Sequence, residues 1–121
     1  MSTGRQNSAL GAYGERVAAR HLVDDGLVLL DRNWRCDAGE IDLVLRDGET
    51  LVFCEVKTRS GTAHGHPLEA VGPVKTERLV RLADRWIEEH QVVAAQVRFD
   101  VVAVLRSPRG AAQVEHVRGF G

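Results

Sequence analysis

Two short segments of this sequence combine carboxylates with a lysine in a pattern that suits metal-assisted phosphate chemistry. The first is Gly39-Glu40-Ile41-Asp42 and the second is Glu55-Val56-Lys57. Mg²⁺ takes one or two protein carboxylates and leaves its other positions to water and substrate phosphate. A nearby lysine can polarise the scissile phosphate or hold the attacking water. The pattern therefore indicates phosphodiester hydrolysis, with Asp42, Glu55 and Lys57 as the reacting side chains.

A predicted β-hairpin would bring these side chains together. Asp47-Gly48 suits the positive backbone angles of a tight two-residue turn. The sequence therefore predicts strands over Glu40–Leu45 and Thr50–Thr58. In the resulting register Arg46 lies opposite Glu49, Asp42 opposite Phe53, and Glu40 opposite Glu55.

The same register predicts which side chains share a face, because side chains alternate along a strand. Asp42 and Glu55 become diagonal neighbours about 7–8 Å apart at the backbone, so both carboxylates can reach one cation. An apolar face is predicted to hold Ile41, Leu43, Leu45, Val52, Cys54 and Val56. The other face is predicted to hold Glu40, Asp42, Val44, Leu51, Phe53, Glu55 and Lys57. The alternative interpretation is a surface ion-pair cluster in which Lys57 neutralises Glu55 or Glu40.

Hydrophobic periodicity and turn residues predict the elements around this hairpin. We expect helices from about Ser8 to Asp25 and from Pro73 to about His90, and a glycine-containing loop over Ser60–Gly72. Further strands are predicted at Leu27–Arg32, Val97–Leu105 and, at an edge, Gln113–Val117, with Asn33–Gly39 as a polar connection. This order favours a mixed sheet with a helix on each face, a three-layer α/β architecture.

The composition is typical of one globular domain. Its 121 residues predict a single domain over 1–121, with a core at about 8–105 and a C-terminal tail at about 106–121. Cys36 and Cys54 match no metal-ligand spacing and are interpreted as reduced. We find no apolar run long enough for a signal core or a membrane span, and we expect a cytoplasmic protein. A net charge of -1 means that nucleic-acid binding would need a local basic patch.

The two chemical segments also resemble a known group of enzymes. Gly39–Val44 followed by Phe53–Arg59 resembles the PD-(D/E)xK nuclease superfamily, most closely its YraN-like branch. Ile41 stands where the proline of the superfamily's name would be. The resemblance covers nearly all of the chain to about Leu105, and it extends to Gly14-Glu15, Arg32-Asn33, Pro73, Lys75 and Arg98-Phe99-Asp100-Val101.

That branch is similar in layout to Holliday-junction resolvases, which are Mg²⁺-dependent enzymes that cut branched DNA. The resemblance implies a restriction-endonuclease-like fold, DNA as partner, and Mg²⁺ as cofactor with Mn²⁺ as a substitute. It implies Asp42, Glu55 and Val56 as the metal site and Lys57 as the catalytic lysine. Symmetric cutting of two strands would favour a homodimer. A catalytically silent nucleic-acid-binding module and a protein-interaction adaptor are the alternatives.

Several further residues are candidates for the site or for DNA contacts. Glu15, at the edge of the first helix's apolar face, could reach the metal or could be an ordinary solvated carboxylate. Glu40 is a candidate outer group of the site. Basic residues on one side of the second helix could follow a DNA backbone or could form a solvated face. These are Lys75, Arg78, Arg81 and Arg85, with Arg16, Arg20, Arg35 and Arg59 as further candidates for phosphate contacts.

Overall fold

The computed structural model describes residues 9–60 and 73–119, which form two helices and five strands. Both predicted helices and all five predicted strands are present, with bounds that differ by a few residues. Of the predicted loop Ser60–Gly72, residues 61–72 lie outside the described part. The elements are α1 (Ala9–Asp24), β1 (Val28–Cys36), β2 (Gly39–Asp47), β3 (Thr50–Ser60), α2 (Pro73–His90), β4 (Gln96–Arg106) and β5 (Gln113–Val117).

The strands form one mixed sheet in the order β1-β2-β3-β4-β5. β3 and β4 run parallel, and every other neighbouring pair is antiparallel. Parallel neighbours need a crossover connection, and α2 lies in the segment that joins them. The predicted mixed sheet and three-layer α/β architecture are confirmed.

The side of the sheet under α1 forms one hydrophobic core. Ala18, Ala19 and Leu22 of the helix pack on buried aliphatic side chains of the three central strands, among them Leu45 and Val52. Gly11 and Gly14 lie on the same buried face of α1. Small residues at these positions let the helix backbone approach the sheet closely.

The side under α2 forms a second core with an aromatic centre. Leu79, Leu82 and Trp86 pack over Phe53, whose ring meets that of Trp86 edge-on at 5.7 Å between centroids. Edge-to-face contact is a favoured aromatic geometry. Trp86 also donates its indole N–H to Asp31 at 3.0 Å. The two cores fix the positions of both helices over the central hairpin.

The predicted end of β1 is wrong. The strand continues from Val28 to Cys36, and Cys36 pairs with Gly39 across a short turn at Asp37-Ala38, where we expected a polar connection. Arg32 and Asn33 are exposed, as is Arg35 further on. Polar side chains on the solvent side of this strand hide the alternation that would have predicted it.

The predicted register of the central hairpin is also wrong. Asp47 pairs with Thr50, so Gly48 and Glu49 form the turn and Val44, not Asp42, lies opposite Phe53. Gly48 has φ 61°, and turns with glycine at the first central position are one of the two favoured hairpin types. Relative to the prediction, each residue of β3 pairs with a residue two positions further along β2. A shift of two positions keeps every side chain on its predicted face from Leu43 to Asp47 and from Thr50 to Cys54.

The alternation that the sequence predicts for β2 breaks at Asp42, which lies opposite Asn33 of β1. Asn33 has a φ of 51°, in the left-handed region, which asparagine tolerates better than most residues. Trp34 and its partner Ile41 pack on the α2 side, whereas Leu43 faces α1. The predicted faces are thus wrong for Ile41, and for Glu40, which lies on the α1 side.

A buried charge cluster anchors the end of the chain to β4. Asp100 is fully buried and accepts hydrogen bonds from the Arg98 guanidinium at 2.9 and 3.0 Å and from the Gly119 N–H at 3.0 Å. His116 Nε2 lies 2.7 Å from its Oδ2. Burial opposes ionisation of this carboxyl, but the hydrogen bonds from Arg98, His116 and Gly119 outweigh it and hold the pKa of Asp100 below its ordinary value.

We expect Asp100→Asn to destabilise the fold by about 2–4 kcal/mol at neutral pH, because it removes a buried charge that accepts hydrogen bonds from Arg98 and the Gly119 N–H and leaves Arg98 to pair with Asp47. A group whose pKa is lowered by folding stabilises the fold above its ordinary pKa and loses that contribution as the pH falls through the folded value. The deficit should therefore be largest above about pH 5 and shrink in acid. Thermal melts from pH 3 to 8 measure it. Asp37→Asn, which removes an exposed partner of Arg85, is the control, and an equal loss there would contradict the assignment.

Candidate metal centre

Asp42 lies where β2 separates from β3. The pairing of these strands runs from Asp47 with Thr50 to Leu43 with Cys54. Beyond it the Asp42 side chain replaces a ladder carbonyl, since its Oδ2 accepts the N–H of Val56 at 2.8 Å. This hydrogen bond places the Asp42 Oδ2 beside the backbone of β3. Asp42 is only 3% exposed.

Glu15 and Glu40 approach Asp42 from the α1 side. Each of the three residues places one carboxylate oxygen so that all three oxygens lie within 4.8 Å of one another. Two ligand oxygens on opposite sides of a Mg²⁺ ion are about 4 Å apart. Small side-chain rotations would therefore bring these oxygens around one hard cation. The sequence is compatible with either a metal-site role or an ordinary solvated position for Glu15. In the structure its carboxylate lies beside those of Glu40 and Asp42.

Glu55 and Lys57 lie on the α2 face of the sheet, opposite to Glu15 and Glu40. Val56 and Thr58 face α1, so alternation directs Glu55 and Lys57 to the opposite face. Lys57 Nζ lies 3.2 Å from Glu55 Oε2, with exposed side-chain fractions of 12% and 24%. Glu55 therefore pairs with Lys57 and lies outside the cluster of Glu15, Glu40 and Asp42. Asp42 connects that cluster to β3 through its hydrogen bond with Val56.

Val56 can contribute only its main chain to a metal. Its side chain is buried in the core under α1. In an antiparallel pair the N–H and C=O of one residue point to the same neighbouring strand. Because the Val56 N–H points to Asp42, its carbonyl oxygen faces the same gap between β2 and β3. The predicted set Asp42, Glu55 and Val56 thus borders one gap in the sheet.

The carboxylates around this gap affect the pKa of the buried Cys54 thiol. Burial raises the pKa of Cys54 well above its ordinary value, and the negative charges of Asp100, Asp42 and Glu55 raise it further. The thiol therefore stays protonated at neutral pH and is no nucleophile. Cys36 and Cys54 are both free, as the prediction that they are reduced requires.

Basic side chains of α2 contact the turn that precedes Glu40. Arg85 pairs with Asp37 at 2.9 Å, and the Arg78 side chain lies beside Gly39, with its Cδ 3.8 Å from where a Cβ would be. Arg78 and Arg81 are exposed. The Lys75 side chain lies outside the described part.

Arg59 and Arg35 are two further basic residues near the carboxylates. Arg59 follows Lys57 on β3 and donates from Nη1 to the Thr58 carbonyl at 2.9 Å. Arg35 is the cross-strand partner of Glu40 and is exposed. Cations thus border the carboxylates on β1 as well as on β3.

A mixed sheet between two helices, with carboxylates at the open end of its central hairpin, defines an α/β protein consistent with the restriction-endonuclease-like fold. The chain belongs to the uncharacterised protein family UPF0102, whose model matches residues 14–104. A UPF0102 protein of Beutenbergia cavernae is 63% identical over 117 residues, covering 97% of this chain and 99% of the relative. One of a Nocardioides species is 60% identical over 113 residues, covering 93% and 91%. UPF0102 is the YraN-like family that the sequence resembles, and the predicted family is confirmed.

Among the described residues, no helix is long and apolar enough to span a membrane.

Proposed function

We propose that this chain is a Mg²⁺-dependent endonuclease that hydrolyses phosphodiester bonds in DNA. The observation that carries the proposal is the buried Asp42 carboxylate at the open end of the hairpin. Glu15 and Glu40 approach it on one side, and the Glu55–Lys57 pair on the other. Crowded carboxylates raise the energy of a folded chain unless a cation offsets them. An arrangement of this kind suits a metal centre better than a surface ion-pair cluster.

Each residue at the gap has a distinct proposed role. Asp42, Glu55 and the carbonyl of Val56 would hold the ion, and Glu15 is close enough to contribute. When bound, Mg²⁺ supplies Lewis-acid stabilisation of the phosphate and a water of lowered pKa. Lys57 would polarise the scissile phosphate or hold the attacking water, since its ammonium is a mobile point charge.

The basic side of α2 is the proposed path of the DNA backbone. Arg78 and Arg81 are exposed on a helix whose neighbouring side chains lie over the turn before Glu40. Lys75 and Arg59 would extend this path along α2 and β3. Contacts of this kind add affinity without reading sequence, which suits a nuclease that selects branched or otherwise structured DNA.

Neutralising Arg78 and Arg81 together should weaken binding to all DNA sequences alike and reduce the log–log salt slope by about 1.8, if both touch duplex phosphates. Fluorescence anisotropy over a salt series measures this slope. Arg46 and Arg118 carry the same total charge but lie near the turn at the opposite end of the hairpin, and their double replacement is the control. An unchanged slope in the α2 variant would move the DNA path elsewhere.

A cleavage panel separates the nuclease from the alternatives. Duplex, single-stranded, flap and four-way DNA are incubated with the protein in Mg²⁺, Mn²⁺ or EDTA. The proposal expects metal-dependent cleavage of at least one substrate. Binding without cleavage would favour a catalytically silent nucleic-acid-binding module, and neither metal nor DNA binding would favour a protein-interaction adaptor.

A further inference from the structure

We infer that Gly14 is a positioning residue for the metal centre, because its missing side chain lets α1 lie close enough to β3 for Glu15 to reach Asp42. The inference rests on the proposed function, in which Glu15 belongs to the metal site. The observation behind it is the contact between Gly14 and Thr58.

A Cβ added at Gly14 would lie 1.8 Å from Oγ1, 2.7 Å from Cγ2 and 2.8 Å from Cβ of Thr58. Ordinary contacts between carbon atoms are about 3.5–4 Å. Rotating the Thr58 side chain would move Oγ1 and Cγ2 away, but the Thr58 Cβ is fixed to the backbone. Any side chain at position 14 therefore requires α1 and β3 to separate.

The strand cannot easily supply that separation. β3 pairs with β4 without a register shift from Thr50 with Gln96 to Ser60 with Arg106. Thr58 itself is buried and pairs with Val104. α1 packs on the sheet only through one face and is the element that would move, by about 1 Å to restore an ordinary contact.

A shift of α1 would act directly on Glu15, the next residue in the helix. Its carboxylate oxygen lies within 4.8 Å of those of Glu40 and Asp42, which both belong to β2. Coordination distances hold to about 0.2 Å. Moving one ligand by about 1 Å relative to Asp42 would therefore weaken the site, while both hydrophobic cores stay assembled.

The test is a double-mutant cycle read by calorimetric titration with Mn²⁺. Gly14→Ala and Glu15→Gln should each weaken Mn²⁺ binding about 10–100-fold, the usual effect of losing a supporting group or its ligand. The double variant should bind no more weakly than the weaker single variant, because Gly14 acts through Glu15. If the two losses multiply, Gly14 acts independently of Glu15 and the inference is overturned.

A second variant separates positioning from stability. Gly26 lies in the turn that follows α1, has φ 101° and would place a Cβ in open space. Gly26→Ala should lower the melting temperature through backbone strain and leave the Mn²⁺ dissociation constant unchanged. A comparable loss of Mn²⁺ binding in Gly26→Ala would overturn the inference, because any destabilisation would then suffice.

If Gly14→Ala does not fold, Gly14→Ala/Thr58→Gly carries the test, since it removes the atoms that the new Cβ would meet. It should fold and bind Mn²⁺ nearly as the parent does. Failure to fold or to bind would overturn the inference.

The outcomes also distinguish this inference from the proposed function. A parent protein that binds no Mn²⁺ overturns both. A parent that binds Mn²⁺ with Gly14→Ala or Glu15→Gln equal to it overturns the inference alone.

Discussion

Lys57→Ala is expected to reduce DNA cleavage by about 10²–10³-fold, the usual cost of removing one group that stabilises developing charge. Lysine is not a Mg²⁺ ligand, so the variant should keep its metal. The loss of the cation 3.2 Å from Glu55 should leave Mn²⁺ affinity equal to the parent's or higher. Single-turnover cleavage measures the first effect, and calorimetry measures the second.

Arg46→Ala is the matched control for this variant. Arg46 is a cation of the same hairpin, but it lies beside the turn and donates to the Gly48 carbonyl at 3.2 Å. Its replacement should leave cleavage at the parent's rate. If Lys57→Ala also cuts as fast as the parent, Lys57 only neutralises Glu55 and the ion-pair interpretation is supported.

Asp42→Asn should remove the effect of metal on stability. The parent is expected to gain RT ln(1 + [L]/Kd) from an ion that binds only the folded form, about 2.7 kcal/mol at 100 times Kd. Asparagine can still accept the Val56 N–H through its amide oxygen, and it relieves repulsion from Glu15 and Glu40. The variant should be at least as stable as the parent in EDTA and gain little from Mn²⁺.

Thermal melts of both proteins in EDTA and in saturating Mn²⁺ measure these differences. Asp24→Asn is the control, because Asp24 is an exposed carboxylate paired with Arg20 on the surface of α1. It should melt as the parent does in both conditions. A parent without a metal-dependent shift, or an Asp42→Asn protein strongly destabilised in EDTA, would make Asp42 a structural residue.

Much of the fold follows from local sequence patterns. Pro73 marks the start of α2 as predicted, because proline is favoured at the first turn of a helix. β5 is found at Gln113–Val117, also as predicted. The end of β1 was not predicted, because the consecutive exposed residues Arg32 and Asn33 interrupt the alternation that Trp34, Arg35 and Cys36 resume.

The site was harder to predict than the elements that carry it. The sequence places Asp42 and Glu55 on neighbouring strands, but the predicted faces assume regular alternation. That alternation breaks at Asp42, opposite the left-handed Asn33 of β1, and Glu40 meets Glu15 on the α1 side. An asparagine within a strand was the available signal, although it cannot by itself say which partner residues change face.

The most direct test of the metal centre is anomalous diffraction from crystals soaked in Mn²⁺. We expect a peak in the gap between β2 and β3, within coordination distance of Asp42, Glu55 and the Val56 carbonyl oxygen. A peak elsewhere, or none at a Mn²⁺ concentration that saturates the protein in solution, would contradict the assignment of this gap as the reaction centre.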